Sequence, residues 1–243
     1  MTATAVLRAE WIKITTLRGT VWSLACVLVA TAGFGILANA SLSDAEPEGF
    51  DPLFSVLVGV GPGQIAAIVF GTLAVSSEYQ SGLIRATLAA VPRRGLLYGA
   101  KLAHVGGLTL AVGLVTTLVS FLAGGAALGD RAPGLGDDGS LRGIVGGAVY
   151  LALMALLAAG LAAVLRSGVA VLGILIPFVL AVSMVFGGGS AGVADFLPDR
   201  AGQQVMYADP PTDLPPLAGL AVTALWAGAA VLAGWWTLRR RDA

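Results

Sequence analysis

The sequence is poor in the residues that most often carry chemistry. Only 12% of its 243 residues are charged, where a soluble domain has about a quarter. A single cysteine, Cys26, excludes an internal disulfide and any zinc or iron–sulfur centre built from cysteines. A single histidine, His104, has no partner near it in sequence for a metal site. The two lysines, Lys13 and Lys101, neither follow a glycine nor precede Ser or Thr, so no Walker A loop is present to cradle ATP. Basic and acidic residues both number 14. That balance excludes a basic nucleic-acid binder and an acidic disordered tail. The 34 glycines follow no G-X-Y period, which excludes collagen.

What the sequence does have is apolar length. Hydrophobic residues make up 57% of it, and charge-free runs cover 19–43, 52–77, 102–129, 143–165, 167–194 and 214–238. A bilayer core takes about 20 helical residues, and a charge at its centre costs roughly 2.5–3.5 kcal/mol on insertion scales. The runs therefore predict an all-α membrane protein, a single transmembrane domain over 1–243. Its six spans are expected at about 20–41, 53–77, 102–127, 143–165, 168–187 and 217–238. Abundant glycine beside Leu, Val and Ala suits close helix packing in lipid. Pro62 and Pro177 fall inside runs two and five, where membrane helices tolerate a kink. A cleaved signal is the poorer reading of the first run, despite Ala38-Asn39-Ala40, because signal cores are about 7–15 residues long.

The connecting segments fix an orientation. One side carries Arg8, Lys13, Arg18, Arg85, Arg93, Arg94, Lys101, Arg166 and Arg239 to Arg241, with only Glu10, Glu78 and Asp242 as acids. The other carries Arg131, Arg142 and Arg200 against eleven acids. The positive-inside rule makes the first side cytoplasmic, both termini included. The composition, rich in alanine and glycine, fits a bacterial cytoplasmic membrane.

Two cytoplasmic segments are expected to be helical without spanning. In 1–18, Val6, Leu7, Trp11, Ile14 and Leu17 share an arc that Glu10 and Arg18 interrupt, an imperfect amphipathic helix on the inner membrane surface. In 78–101, Gly82 breaks the preceding helix, Ile84, Leu88 and Val91 recur on one face, and Pro92 stops the short helix ahead of Arg93 and Arg94. A loop needs no such helix merely to reverse direction, so the segment points to a contact surface. Beyond the fifth span, the stretch 187–216 contains Phe196, Leu197, Val205 and Met206 and is expected to dip back toward the membrane as short protein-covered helices.

Motifs of soluble enzymes do not survive their context. Gly188 to Gly192 match G-x-S-x-G, but that elbow requires a preceding strand and a base, and His104 belongs to the opposite face. Gly134-Leu135-Gly136-Asp137 match an intramembrane aspartyl-protease signature, but no span carries a second aspartate to share a proton. Gln64, Thr72, Thr109, Thr116, Thr117, Ser120 and Ser183 are the polar groups within the runs, and hydrogen bonds between helices are favoured over substrate contact as their role. Proton- and ion-coupled carriers use charged relays, which the runs lack.

The plan resembles the membrane subunit of type-2 ATP-binding-cassette (ABC) exporters. Three stretches carry the resemblance: Leu7 to Lys13 ahead of span one; Glu78-Tyr79-Gln80-Ser81-Gly82 with Leu83 to Leu88 and Pro92-Arg93-Arg94; and Leu197-Pro198 with Ala201-Gly202 ahead of the last span. The second departs from the family in having Leu83 where a threonine is usual. The resemblance implies a permease that forms a substrate pathway with a second, identical or homologous six-span subunit, above two separate ATP-binding subunits. It implies no cofactor on this chain, and no catalysis by it. The helix at 82–91 becomes a coupling helix, with Glu78, Gly82, Arg85, Arg93 and Arg94 as its contact residues. The N-terminal helix becomes a connecting helix with Arg8, Glu10, Trp11 and Lys13. The alternative from a different class is a scaffold or sensor that binds a cytosolic partner without moving a substrate.

Overall fold

The computed structural model describes residues 3–42, 49–90, 93–186 and 192–240. Among these there is no strand; the chain is ten α-helices joined by turns and three short 3-10 segments. They are α1 Ala3–Thr16, α2 Arg18–Ala40, α3 Pro52–Leu57, α4 Val60–Gln80, α5 Leu83–Ala90, α6 Arg94–Leu128, α7 Ser140–Leu165, α8 Gly168–Phe186, α9 Pro198–Gln203 and α10 Pro216–Arg240. Among the described residues five helical stretches are long and apolar enough to cross a membrane: α2, α3 with α4, α6 with the turn after it, α7 and α10. The stretch expected as the fifth span falls on α8, where the apolar part among the described residues, Gly168–Ala181, is shorter.

Local chemistry explains the boundaries. The second run is two helices rather than one kinked helix. Asp51 caps α3, its Oδ1 accepting from Phe54 N at 2.9 Å, and Pro52 occupies the first turn, where its missing N–H is harmless. The break comes at Val58, four residues before Pro62, where a proline ring displaces the carbonyl of a continuing helix. α6 has 35 residues and is about 50 Å long at 1.5 Å per residue, well beyond a bilayer core of about 30 Å. It starts at Arg94, so Lys101 lies two turns inside a helix expected to begin after it.

α7 is the axis of the bundle. It is the most buried of the long helices, and α2 and α10 are the least. α4, α6 and α10 pack around it, α2 lies against α4 and α6, and α8 against α4 and α7. Small residues permit this closeness: a Cβ added at Gly71 would sit 2.1 Å from the Ala155 carbonyl oxygen. The interhelical hydrogen bonds expected of polar residues are present in Thr117 Oγ1 donating to Ile144 O at 2.9 Å and Ser120 Oγ donating to Val56 O at 3.0 Å. Thr109 instead donates within its own helix, to Val105 O. Ser183 lies outside the described side chains.

The two ends differ in charge as the connecting segments predict. At the basic end Arg94 Nη1 donates to Leu238 O at 2.8 Å, tying the start of α6 to the end of α10, and Arg166 lies over the Tyr79 ring in the turn between α7 and α8. At the acidic end, Asp51 Oδ2 accepts from Ala208 N at 2.8 Å and Asp209 N at 3.1 Å. Phe54 stacks on Tyr207 with ring centroids 4.1 Å apart. Burial, with Asp51 nearby, pushes the Tyr207 phenol up to about 12. The segment ahead of α10 forms short helices as expected, with Pro198, Ala201, Val205 and Met206 buried against α7 and α10; Phe196 stays exposed.

Candidate functional site

The basic end is built on a helix face that the sequence disguises. α1 buries Val6, Glu10 and Ile14, spaced by four residues. Leu7, Trp11 and Leu17, expected on the apolar arc, are 39–48% exposed. Glu10 does not interrupt the buried face; it is the centre of it, at 1% exposure. α1 ends at Thr16, and Arg18 already belongs to α2. Val6 packs on Leu97 and Ala100 of α6, which brings Glu10 over Lys101.

Four charges meet there. Lys13 Nζ lies 2.8 Å from Glu10 Oε1 and 2.7 Å from Glu78 Oε1. Lys101 Nζ lies 2.8 Å from Glu10 Oε2 and 2.9 Å from Glu78 Oε1, and also donates to the Ala74 carbonyl at 3.3 Å. Glu10, Glu78 and Lys101 are each at most 5% exposed. Three elements thus share one neutral quartet: α1, the last turn of α4, and the second turn of α6. Burying a charge costs several kcal/mol unless partners replace its water, and here each ammonium has two carboxylates. Burial alone would raise the Glu10 carboxyl, but the ammonium groups of Lys101 and Lys13 outweigh it and hold it below its ordinary 4.5. Burial would lower the Lys13 ammonium, but Glu10 and Glu78 outweigh it and hold it above 10.5. One atom is left over: Glu78 Oε2 is buried with no hydrogen-bond partner among the described residues.

α5 hangs directly from this quartet. α4 stops at Gln80, and Gly82 turns the chain with φ +71°, a left-handed conformation that costs another residue about 1 kcal/mol. Ile84 is buried in the seam formed with Leu97, Tyr98 and Leu238, and Leu83 is 55% exposed. The side chains of Arg85 and Leu88, and all of Val91 and Pro92, lie outside the described residues.

The remaining expected contact residues divide by exposure. Arg8 and Arg93 face outward. Arg94 is half-buried, holding the end of α10. Trp11 is 48% exposed beside the His104 ring, and His104 Nδ1 lies 2.8 Å from Ala100 O. Between the last turn of α1, the end of α4 and Leu83 lies a cavity of about 300 Å3, lined also by Thr16, Ser77 and Ser81 and floored by the quartet.

The arrangement ties α1, α4 and α6 together through four charges. Among the described residues no three His, Cys, Asp or Glu side chains are grouped to hold a metal. Asp137 is in an exposed loop, its Oδ2 accepting from Gly134 N, and 188–191 of the G-x-S-x-G match lie outside the described residues. From sequence, Glu10, Lys13 and Glu78 fall in two separate contact segments, and Lys101 counts only toward the basic side. The missed signal was that Glu10 and Glu78 are two of only three acids on an otherwise basic side, where cationic partners are at hand. No protein-family model matches the chain, and no curated protein is similar to it at a significant level.

Proposed function

We propose that this chain is the permease subunit of an ATP-driven ABC exporter in a bacterial cytoplasmic membrane. α8 then serves as the fifth of six spans, and both termini face the cytoplasm. Two such subunits form the substrate pathway, and two separate ATP-binding subunits dock at the basic end. α5 acts as coupling helix and α1 as connecting helix. One observation carries the reading. The quartet joins α1, α4 and α6 directly beside α5, so a push on either short helix moves two long helices with it. The exposed cations Arg8 and Arg93 supply the outward contact.

Copurification tests this. A tagged chain expressed in its own host should retain an ATP-hydrolysing subunit, and Arg93→Glu should lose most of it while still inserting. Retention of a cytosolic protein without ATPase activity would favour the scaffold or sensor instead. Equal ATPase retention by Arg93→Glu together with Arg8→Glu would remove the docking assignment.

A further inference from the structure

The other half of the bundle contains a second cavity, of different character. It holds about 350 Å3, within the range of small-molecule sites, and lies between α2, the joint of α3 and α4, α8 and the segment at α9. Its wall is apolar, with Phe34, Phe54, Ile65 and Val179 among its members, and carries no charge. Two amides, Gln64 and Gln203, are its polar groups.

Tyr150 sets the direction of these amides. It is fully buried on α7, donates its hydroxyl proton to Gln64 Oε1, and accepts from Gln203 Nε2 at 3.5 Å. The phenol has one proton to give, so the Gln64 carbonyl is held inward by it. Gln64 is only 4% exposed, and it lines the cavity, where its NH2 group can meet an acceptor. An acceptor entering the cavity gives that donor a partner out of water.

We infer that this cavity binds a neutral, apolar molecule bearing one carbonyl group, whose oxygen accepts from Gln64 Nε2. An amide is the best head group, because its own N–H can donate to Gln203 Oε1, the side-chain carbonyl of the second amide in the wall. A cationic or anionic head finds no counter-charge in the wall and keeps its desolvation cost. Binding is a property of this chain alone; only the further step, that such molecules are the cargo, rests on the transporter reading.

The test uses the purified full chain in nanodiscs without any ATPase and a photoreactive dodecanamide. Adducts should map to 54–65 and to 203–206, and unlabelled dodecanamide should compete at least tenfold better than dodecane or dodecylammonium. Gly61→Leu should abolish labelling. Gly61 lines the cavity with open space around an added Cβ, so this variant fills the site without touching the amide network. Gln64→Leu should erase the preference for the amide. Stronger labelling in diether than in diester phosphatidylcholine identifies a lipid ester carbonyl as the resident group; equal labelling identifies a molecule from outside the bilayer lipid. Competition indifferent to head group, adducts spread over the outward residues Val29 and Leu225, or full labelling of Gly61→Leu would each overturn the inference.

Discussion

The two ends of this molecule bury polar groups in opposite ways. At the basic end two carboxylates and two ammonium groups neutralise one another, and each ammonium meets both acids. In the other half a tyrosine and two glutamines, all uncharged, form a chain whose two amide ends line a cavity. A closed set of charges fixes geometry, because removing any member strands the others. An open chain of amides fixes direction and leaves capacity for a ligand. The first suits an element that must move as a unit, and the second a site that must fill and empty.

Unbalancing the quartet should produce the largest effect. Lys101→Met leaves two buried carboxylates sharing only Lys13, and should cost about 3–5 kcal/mol, read as a lower midpoint of thermal unfolding in detergent. Glu10→Leu combined with Lys101→Met should cost less than the two singles added together, since the double variant strands fewer charges. Strict additivity would mean the four charges do not act together. Gln64→Leu in the other half should cost only about 1–2 kcal/mol, because it strands the Tyr150 hydroxyl but no charge. A loss as large as that of Lys101→Met would erase the contrast between the two ends.

Changing pH should have the smallest effect over the ordinary range. The folded Glu10 carboxyl titrates below 4.5, so its contribution is present above that value and is lost as pH falls through the lowered one. The folded Lys13 ammonium titrates above 10.5, so its contribution is present below that value and is lost as pH rises through the raised one. Protection of α1 from limited proteolysis should therefore be flat between 4.5 and 10.5 and fall outside that window.

Much of the fold is legible from charge alone. Charge-free runs locate the long helices, and the sign of the connecting segments sorts the two ends. Gly82 marks the end of α4 correctly because only a left-handed turn can follow there. The joint at Val58 is harder to read, since Pro62 announces a kink without saying that the helix restarts. The site is legible in composition but not in geometry. Periodicity counts apolar residues, so a buried Glu10 registers as an interruption of the face whose centre it occupies. Lys101 sits 23 residues beyond Glu78 and 91 beyond Glu10, and only packing of α1 on α6 brings them together. Tyr150 and Gln203 likewise meet only once the segment at α9 folds back on α7.

If the quartet makes α1, the end of α4 and the start of α6 one body, hydrogen–deuterium exchange on the full chain in nanodiscs shows it most directly. Residues 6–14, 76–81 and 97–101 should be slow together in the native protein. In Lys101→Met all three should speed up together, with 144–160 of α7 unchanged. Rapid exchange of 6–14 in the native chain, or a Lys101→Met effect confined to that stretch alone, would contradict this.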